Sequence, residues 1–293
     1  MTPIDCVRVT STRYDYNMEI RRSCLLALLV LYSPGCDSIS PTAPALGASN
    51  PGETVDRPAF KAMTYNVQLG GFGAPDAEGR KPLIVEIIRS EAADIVGLQE
   101  LGSTHRADIE AGLQDLYDFY DGQSVGNAEL ILLRKNVLAA AGQGMVTLPT
   151  ECGGSLGVTY LEVRSLRGVN FVVFNTHLCF NNPAQHAIQV VDTLAGRYPG
   201  LPAIVMGDLN SRQGGDTMDF LLAQGELSGR VSPVQFYDTW VLAGGDRSTR
   251  VGTGIDWILT TDGTGQSIGV QDATVVANAS QASDHIPITA TLF

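Results

Sequence analysis

From residue 59 onward, short apolar runs in this chain end abruptly on a polar side chain. Ala62-Met-Thr-Tyr runs into Asn66, Ile95-Val-Gly-Leu-Gln into Glu100, Phe171-Val-Val-Phe-Asn-Thr into His177, and Ala203-Ile-Val-Met-Gly into Asp208, with Asn210 two residues on. Brief Val/Ile/Phe-rich runs bounded by Gly, Asn or Asp read as strands. The pattern predicts strands over 59–66, 94–100, 128–134, 137–148, 158–164, 170–177, 202–208, 255–260, 268–277 and 286–292. Helices are predicted over 80–91, 105–117, 184–197 and 216–224. The first has an apolar face at residues 83, 84, 87 and 88, and Pro82 suits its first turn, where a missing N–H costs little, as Pro183 suits the third helix. Strands outnumber helices, and the helices fall between strand groups. Two stacked sheets with helices outside fit this better than a barrel with strict strand–helix alternation. No internal repeat is visible, and Val251-Gly-Thr-Gly254 reads as a loop.

The first 58 residues follow a different pattern. Arg21-Arg22 precede the apolar run Cys24-Leu-Leu-Ala-Leu-Leu-Val-Leu-Tyr32, and Ser33-Pro-Gly-Cys36 follows, the layout of an export signal over residues 1–36. Met18 is a candidate true start. The run is too short to span a bilayer as a helix in the mature chain, and no second apolar segment is long enough to do so. Cys36 resembles a bacterial lipoprotein acylation site, although Ser33 and Pro34 depart from the usual residues there. The alternatives are ordinary cleavage or a short buried helix. Residues 37–58, rich in Ser, Pro, Ala, Gly and Thr without periodicity, read as a flexible tether, and 59–293 as one domain. The expected location is therefore outside the cytoplasm, periplasmic or at the cell surface, held to a membrane through lipid on Cys36 or else secreted.

Composition narrows the partners. The chain has 293 residues and a net charge of −12, and beyond residue 60 its lysines are Lys61, Lys81 and Lys135. A diffuse basic field for non-specific nucleic-acid binding is absent. An acidic chain still acts on phosphoesters when a divalent cation supplies the positive charge locally. Of five cysteines, Cys6 and Cys24 would leave with the signal and Cys36 would carry lipid, leaving Cys152 and Cys179 in the exported domain. In an oxidising compartment these two either pair, contributing about 3 kcal/mol, or remain free thiols. They lack the spacing of a zinc site.

The polar strand-end residues, in order, are Asn66, Glu100, His177, Asp208, Asn210, Asp256, Asp284 and His285. Carboxylates and carboxamides are hard oxygen ligands for Mg²⁺, Mn²⁺ or Ca²⁺. Imidazoles beside them move protons or stabilise negative charge near neutral pH. Together they suit attack of water on a phosphate ester. Taken singly, each has a plainer reading: Asn66 as a cap, Glu100 as a solvated strand end, Asp208 or Asp256 as a turn cap, His177 as a core histidine. His105 reads as a surface residue near a helix start, His186 as structural, and Trp240 and Trp257 as core.

At this point the chain resembles the endonuclease/exonuclease/phosphatase superfamily, through Met63-Thr-Tyr-Asn66, Gly97-Leu-Gln-Glu100, Asn175-Thr-His-Leu178, Gly207-Asp-Leu-Asn210, Ile255-Asp-Trp-Ile258 and Ser283-Asp-His285. The six motifs appear in the family's order. The resemblance implies an α+β, four-layer α/β/β/α sandwich of two mainly antiparallel sheets, with the site at the strand ends. It also implies roles: Glu100 as principal metal ligand, helped by Asn66 and Asp284; Asp208 orienting or deprotonating water; Asn210 holding the phosphate or nucleophile. His285 would contact the phosphate, oriented by Asp256, and His177 would donate to a phosphate oxygen or assist the leaving group. Tyr160 is a candidate for a phosphate-facing residue. Gln68 stands where many relatives carry an acid, and the inositol-phosphatase signature is missing. A nuclease or other phosphodiesterase is expected, with a phospholipid phosphodiesterase or a phosphomonoesterase as alternatives. A non-catalytic lipoprotein binding module is the reading from another class. No protein partner is inferred.

Overall fold

The computed structural model describes residues 59–70, 76–123, 128–149, 157–165, 170–250 and 252–293. The predicted signal, tether and acylated Cys36, and also Cys152, lie outside these residues. In chain order the elements are β1 (Phe60–Asn66), α1 (Ala77–Glu91), β2 (Ile95–Gln99), α2 (Ser103–Leu113), β3 (Tyr117–Tyr120), β4 (Leu130–Arg134), β5 (Ala139–Thr147) and β6 (Gly157–Arg164). There follow β7 (Asn170–His177), α3 (Pro183–Arg197), β8 (Ala203–Asp208), α4 (Asp216–Leu221), β9 (Tyr237–Asp238), α5 (Thr239–Leu242), β10 (Asp256–Thr261), β11 (Val270–Val275) and β12 (Ile288–Leu292).

The strands form two six-stranded sheets, ordered β11-β12-β1-β2-β4-β3 and β5-β6-β7-β8-β10-β9. Each sheet is antiparallel except for one central parallel pair, β1–β2 or β7–β8, joined by a crossover helix. The two halves thus repeat one topology that the sequence conceals.

Strict alternation along each central strand builds three apolar layers. Ala62, Ile95, Ile131, Val173, Ile204, Met206 and Ile258 meet between the sheets. Met63, Tyr65, Val96, Leu98 and Leu130 face outward onto Ile84 and Ile88 of α1 and Ile109 and Leu113 of α2. Val172, Phe174, Val205, Trp257 and Leu259 face the other way, onto Ile188, Val191 and Leu194 of α3 and Met218 and Phe220 of α4. These strands are buried on both faces, so they read as continuous apolar runs rather than as polar/apolar alternation. The result is the expected α/β/β/α sandwich.

Several local expectations are corrected. α1 starts a turn early, at Ala77 behind an Asp76 cap that accepts from Gly79 N–H. Pro82 therefore lies inside the helix rather than in its first turn. α2 runs from Ser103 and ends at Leu113, short of the predicted 117, and Tyr117–Tyr120, given no element in the sequence reading beyond Tyr117, is an edge strand paired with β4. Tyr160 is displaced from the site altogether: it is buried against Phe174 and Tyr198, with Arg197 stacked 4.4 Å from its ring centroid.

Between the sheets, polar groups replace apolar ones near the strand ends. Gln99 Nε2 donates to Asn175 Oδ1 (2.6 Å) and Thr64 Oγ1, while Asn175 Nδ2 donates back to the carbonyls of Leu98 and Leu130. Gly97 makes room for this bond, since a Cβ there would lie 2.6 Å from Asn175 Oδ1 and 2.9 Å from Met206 Cε. Overpacking of this kind costs about 1–3 kcal/mol. Gly97→Ala is expected to lower stability by that amount in urea unfolding, and a change below about 0.5 kcal/mol, the usual range for surface sites, would contradict the tight seam.

Candidate active site

The parallel pairs bring the polar strand ends to one edge. Asn66 lies level with Gln99 at the ends of β1 and β2, and His177 level with Asp208 at the ends of β7 and β8. β10 runs antiparallel to β8, so it starts where β8 ends, with Asp256 opposite Asp208. β12 runs antiparallel to β1, and the segment before it carries Asp284 and His285 to the same edge. One sheet thus supplies Asn66, Glu100, Asp284 and His285, and the other His177, Asp208, Asn210 and Asp256.

Local backbone geometry explains the residues between them. Gly207 has φ 145°, and a side chain there would strike the Thr176 carbonyl, so the residue before Asp208 must be glycine. Asn210 takes a left-handed φ of 47° while its N–H donates to Asp208 Oδ1 at 2.9 Å, an Asx turn that fixes the carboxylate. Glu100 is also left-handed, φ 55°, which turns it off the end of β2.

Asp208 Oδ2 is the hub. It accepts from Asn66 Nδ2 (3.1 Å), and His177 Nε2 and His285 Nε2 lie 3.5 and 3.6 Å away. Asn66 Nδ2 also donates to Glu100 Oε1 at 2.8 Å, while its Oδ1 accepts from Gln68 N–H. The amide thus presents nitrogen, not oxygen, to the carboxylates. Asn210 Nδ2 donates to the Leu178 carbonyl (2.7 Å) and meets His177 Nε2 at 2.9 Å. The same ring nitrogen faces Asp208 Oδ2, and the other, Nδ1, lies 3.8 Å from Glu100 Oε1. Asn210 therefore orients His177. Asp284 is exposed and takes a bond from Gln68 Nε2 at 2.9 Å, so the amide that stands in place of an acid holds the loop before β12.

His285 Nδ1 lies 2.9 Å from both oxygens of Asp256, and Thr253 Oγ1 donates to Asp256 Oδ2. Burial pulls the His285 imidazole down, but the hydrogen bond and charge of Asp256, with Asp208 and Asp284, outweigh it and push it up to about 9. His285 is therefore cationic at neutral pH. Burial raises the Asp208 carboxyl, as does Asp256, while the two imidazoles and the Asn210 N–H oppose the rise. A carboxylate raised by desolvation suits proton acceptance near neutrality.

Two groups in this edge could hold a cation: Glu100 with His177 and Asp208, and Asp208 with Asp256 and His285. Clustered, partly buried carboxylates form a donor set that fits a hard divalent ion.

Other residues escaped the sequence reading. Ser283 Oγ donates to the Asn66 carbonyl at 2.7 Å and accepts from His285 N–H, tying the two segments together; its place inside a motif was the available signal. Arg80 on α1 donates to the carbonyls of Val67, Gln68 and Ala282, bracing both loops, and nothing in the sequence marked it. Glu129 at the start of β4 is buried and pushed up to about 8 by that burial, with the nearby Glu100 charge adding to it. The predicted structural role of His186 fits its place: Nδ1 accepts from Cys179 N–H and Nε2 donates to the Pro149 carbonyl. Cys179 is disulfide-bonded.

The acids and imidazoles gathered at the shared edge of the two sheets are the side chains that metal-assisted hydrolysis uses. The profile of the Endonuclease/Exonuclease/phosphatase family matches residues 63–285, and the chain belongs to that family of metal-dependent phosphoesterases. No curated protein matches the sequence. Among solved structures, the endonuclease/exonuclease/phosphatase from Bacteroides vulgatus is similar, with TM-score 0.64 and 20% identity, covering 81% of this chain and 99% of that one. D. rerio TDP2 complexed with single strand DNA product has TM-score 0.64 and 17% identity, covering 80% and 99%. The Bacteroides thetaiotaomicron mannosyl-6-phosphatase has TM-score 0.60 and 19% identity, covering 80% and 99%. At these identities the likeness concerns the fold. Among the described residues no helix is long and apolar enough to cross a membrane.

The raised His285 gives a pH test on the metal-free protein. A group raised on folding stabilises fully below its unfolded value, about 6.5, and loses that stabilisation as pH rises through about 9. The loss of stability in Asp256→Asn is therefore expected to be on the order of 2–3 kcal/mol at pH 6 and to shrink toward pH 10. A loss that does not change between these pH values would contradict the ion pair.

Proposed function

We propose that the protein hydrolyses phosphodiesters, nucleic acid foremost, with Mg²⁺ as its cation (Mn²⁺ or Ca²⁺ in its place), outside the cytoplasm. The observation that carries the chemistry is the meeting of Asn66, His177 and His285 on one oxygen of Asp208. That oxygen is the base for an attacking water, and His285, charged and fixed by Asp256, donates to a phosphoryl oxygen as negative charge builds on it. His177, aligned by Asn210, gives a second hydrogen bond on the opposite side. The phosphorus–water oxygen bond forms as the ester oxygen leaves. The water's proton passes to Asp208. Glu100, helped by Asp284, would hold a divalent ion that supplies positive charge for the phosphate oxygens, and the Asn66 amide, which turns its nitrogen to Glu100, would aim that carboxylate rather than ligate. Glu100 is preferred over the Asp208–Asp256–His285 group because His285 already neutralises Asp256.

The likeness to TDP2 bound to a DNA product supports a nucleic-acid substrate. The mannosyl-6-phosphatase favours a second reading, phosphomonoester hydrolysis. Plasmid DNA, RNA, sphingomyelin and sugar or inositol phosphates assayed side by side decide between them, and turnover confined to monoesters would overturn the nuclease reading. With bis-p-nitrophenyl phosphate and Mg²⁺ or Mn²⁺, Asp208→Ala and His285→Ala are each expected to lower turnover roughly 10²- to 10⁴-fold. Turnover unchanged in either variant would remove these residues from the mechanism. Absence of turnover on every ester with every ion would favour a binding module.

The basic, apolar and small-residue order before Cys36 supports export and acylation there. Cys36→Ser is expected to move the protein from the membrane fraction to the soluble one, and unchanged retention would contradict acylation.

A further inference from the structure

Beside the Asp256–His285 pair lies an arginine for which the hydrolytic chemistry has no use. Arg250 stands six residues before Asp256, its guanidinium 4.5 Å from the ring centroid of Trp257. Trp257 is buried and fixed, since its Nε1–H donates to the Ser211 carbonyl, one residue beyond Asn210. The ring thus forms a rigid floor that holds Arg250 beside the catalytic loop. Burial pulls the Arg250 guanidinium below its ordinary value, with Arg247 adding to the fall and Asp238 and Asp256 opposing it.

A guanidinium carries five N–H donors and no acceptor. Removing it from water without hydrogen-bond partners is costly. Among the described residues, the Arg250 guanidinium makes its ring contact with Trp257 and no hydrogen bond or ion pair. Both nearby acids are already engaged. Asp238 takes Arg247 Nε at 2.6 Å and the Trp240 N–H, and Asp256 takes His285 and Thr253. A second, exposed guanidinium approaches the same loop: Arg212 Nη1 would lie 3.4 Å from a Cβ at Gly254, two residues before Asp256. In a chain of net charge −12, Arg250 and Arg212, neither with an acid partner among the described residues, both lie on the loops that flank Asp256.

We propose that Arg250, with Arg212 beside it, forms a second anion subsite that holds a phosphate group of the substrate other than the one being hydrolysed. Planar bidentate donors of this kind match phosphate oxygens. The subsite selects substrates that carry a further phosphate near the scissile one. It deepens the phosphodiesterase reading above, which supplies the neighbouring phosphate, and a nucleic-acid strand presents phosphates at such regular intervals.

Trp257 makes the test independent of turnover. The full chain contains two tryptophans, so in a Trp240→Phe background the emission comes from Trp257 alone. Inorganic phosphate titrated into metal-free W240F protein is expected to give a saturable change in emission. The response persists with Asp208→Asn added, disappears with Arg250→Met, and weakens with Arg250→Lys, which keeps the charge but not the fork. Circular dichroism checks the fold of each variant, and the lysine variant carries the test if the methionine variant does not fold. In the Asp208→Asn background, a thymidylate trinucleotide is expected to bind about tenfold more tightly than thymidine monophosphate, the scale of one charge-assisted bond, with the gain lost in Arg250→Met. A gain seen for inositol hexakisphosphate and not for the trinucleotide keeps the subsite and assigns the second phosphate to a non-nucleotide substrate. No emission change, or one that survives Arg250→Met and vanishes with Asp208→Asn, overturns the proposal. Because no hydrolysis is read, failure of the hydrolase reading and failure of this subsite give different results.

Discussion

One carboxylate oxygen, Asp208 Oδ2, joins the two halves of this molecule where its chemistry lies. It receives the Asn66 amide from one sheet and faces His177 from its own, with His285 reaching it from the first sheet. A buried acid is tolerated only when its charge is met. Here it is met from both sheets at once, so the site exists only while the sheets stay docked in register. The Gln99–Asn175 bond a residue or two behind the site, and the bare Gly97 that admits it, hold that register. The His285–Asp256 bond, between residues of different sheets, fastens it again at the front.

This arrangement divides the labour. The β1–β2 end contributes the open carboxylate, Glu100, and the amide that aims it. The β7–β8 end contributes the buried carboxylate, Asp208, and its neighbouring imidazole, His177. The repeat of topology between the sheets places corresponding strand ends at one edge, and the differences in their terminal residues create the asymmetry that a reaction needs. Loops braced from outside complete the frame: Arg80 fastens the segments after β1 and before β12, and His186 fastens the one after β7. Such bracing holds the reacting groups in place with little reorganisation, which is where electrostatic catalysis gains most.

Much of this could be read directly from residues. The apolar runs located the central strands because those strands are buried on both faces, and their polar ends marked the site because a buried strand rarely stops on a carboxylate without reason. Pairing with a neighbour was harder to see. β3, four residues long at a sheet edge, carries too short a pattern to be read as a strand and is defined by its pairing with β4. Tyr160 has the right chemistry for a phosphate, yet strand alternation turns it to the face opposite the inter-sheet core, among Phe174 and Tyr198. The internal repeat lies in strand order, which leaves no periodic trace. Bracing residues such as Arg80, and the stacked Arg250, sit in segments whose composition is ordinary, and their partners are backbone carbonyls or a ring that only the fold brings near.

The central claim is that the Asp208 hub forms one site with a divalent ion carried by Glu100, assembled from both sheets. The most direct measurement is the midpoint of thermal unfolding with and without Mg²⁺, in the native protein and in Glu100→Gln. Binding confined to the folded state stabilises it by about 2.7 kcal/mol at a hundredfold excess over the dissociation constant. The account predicts a saturable rise in midpoint for the native protein that is lost in Glu100→Gln. An equal rise in both proteins, or none in either with Mg²⁺, Mn²⁺ or Ca²⁺, would contradict it.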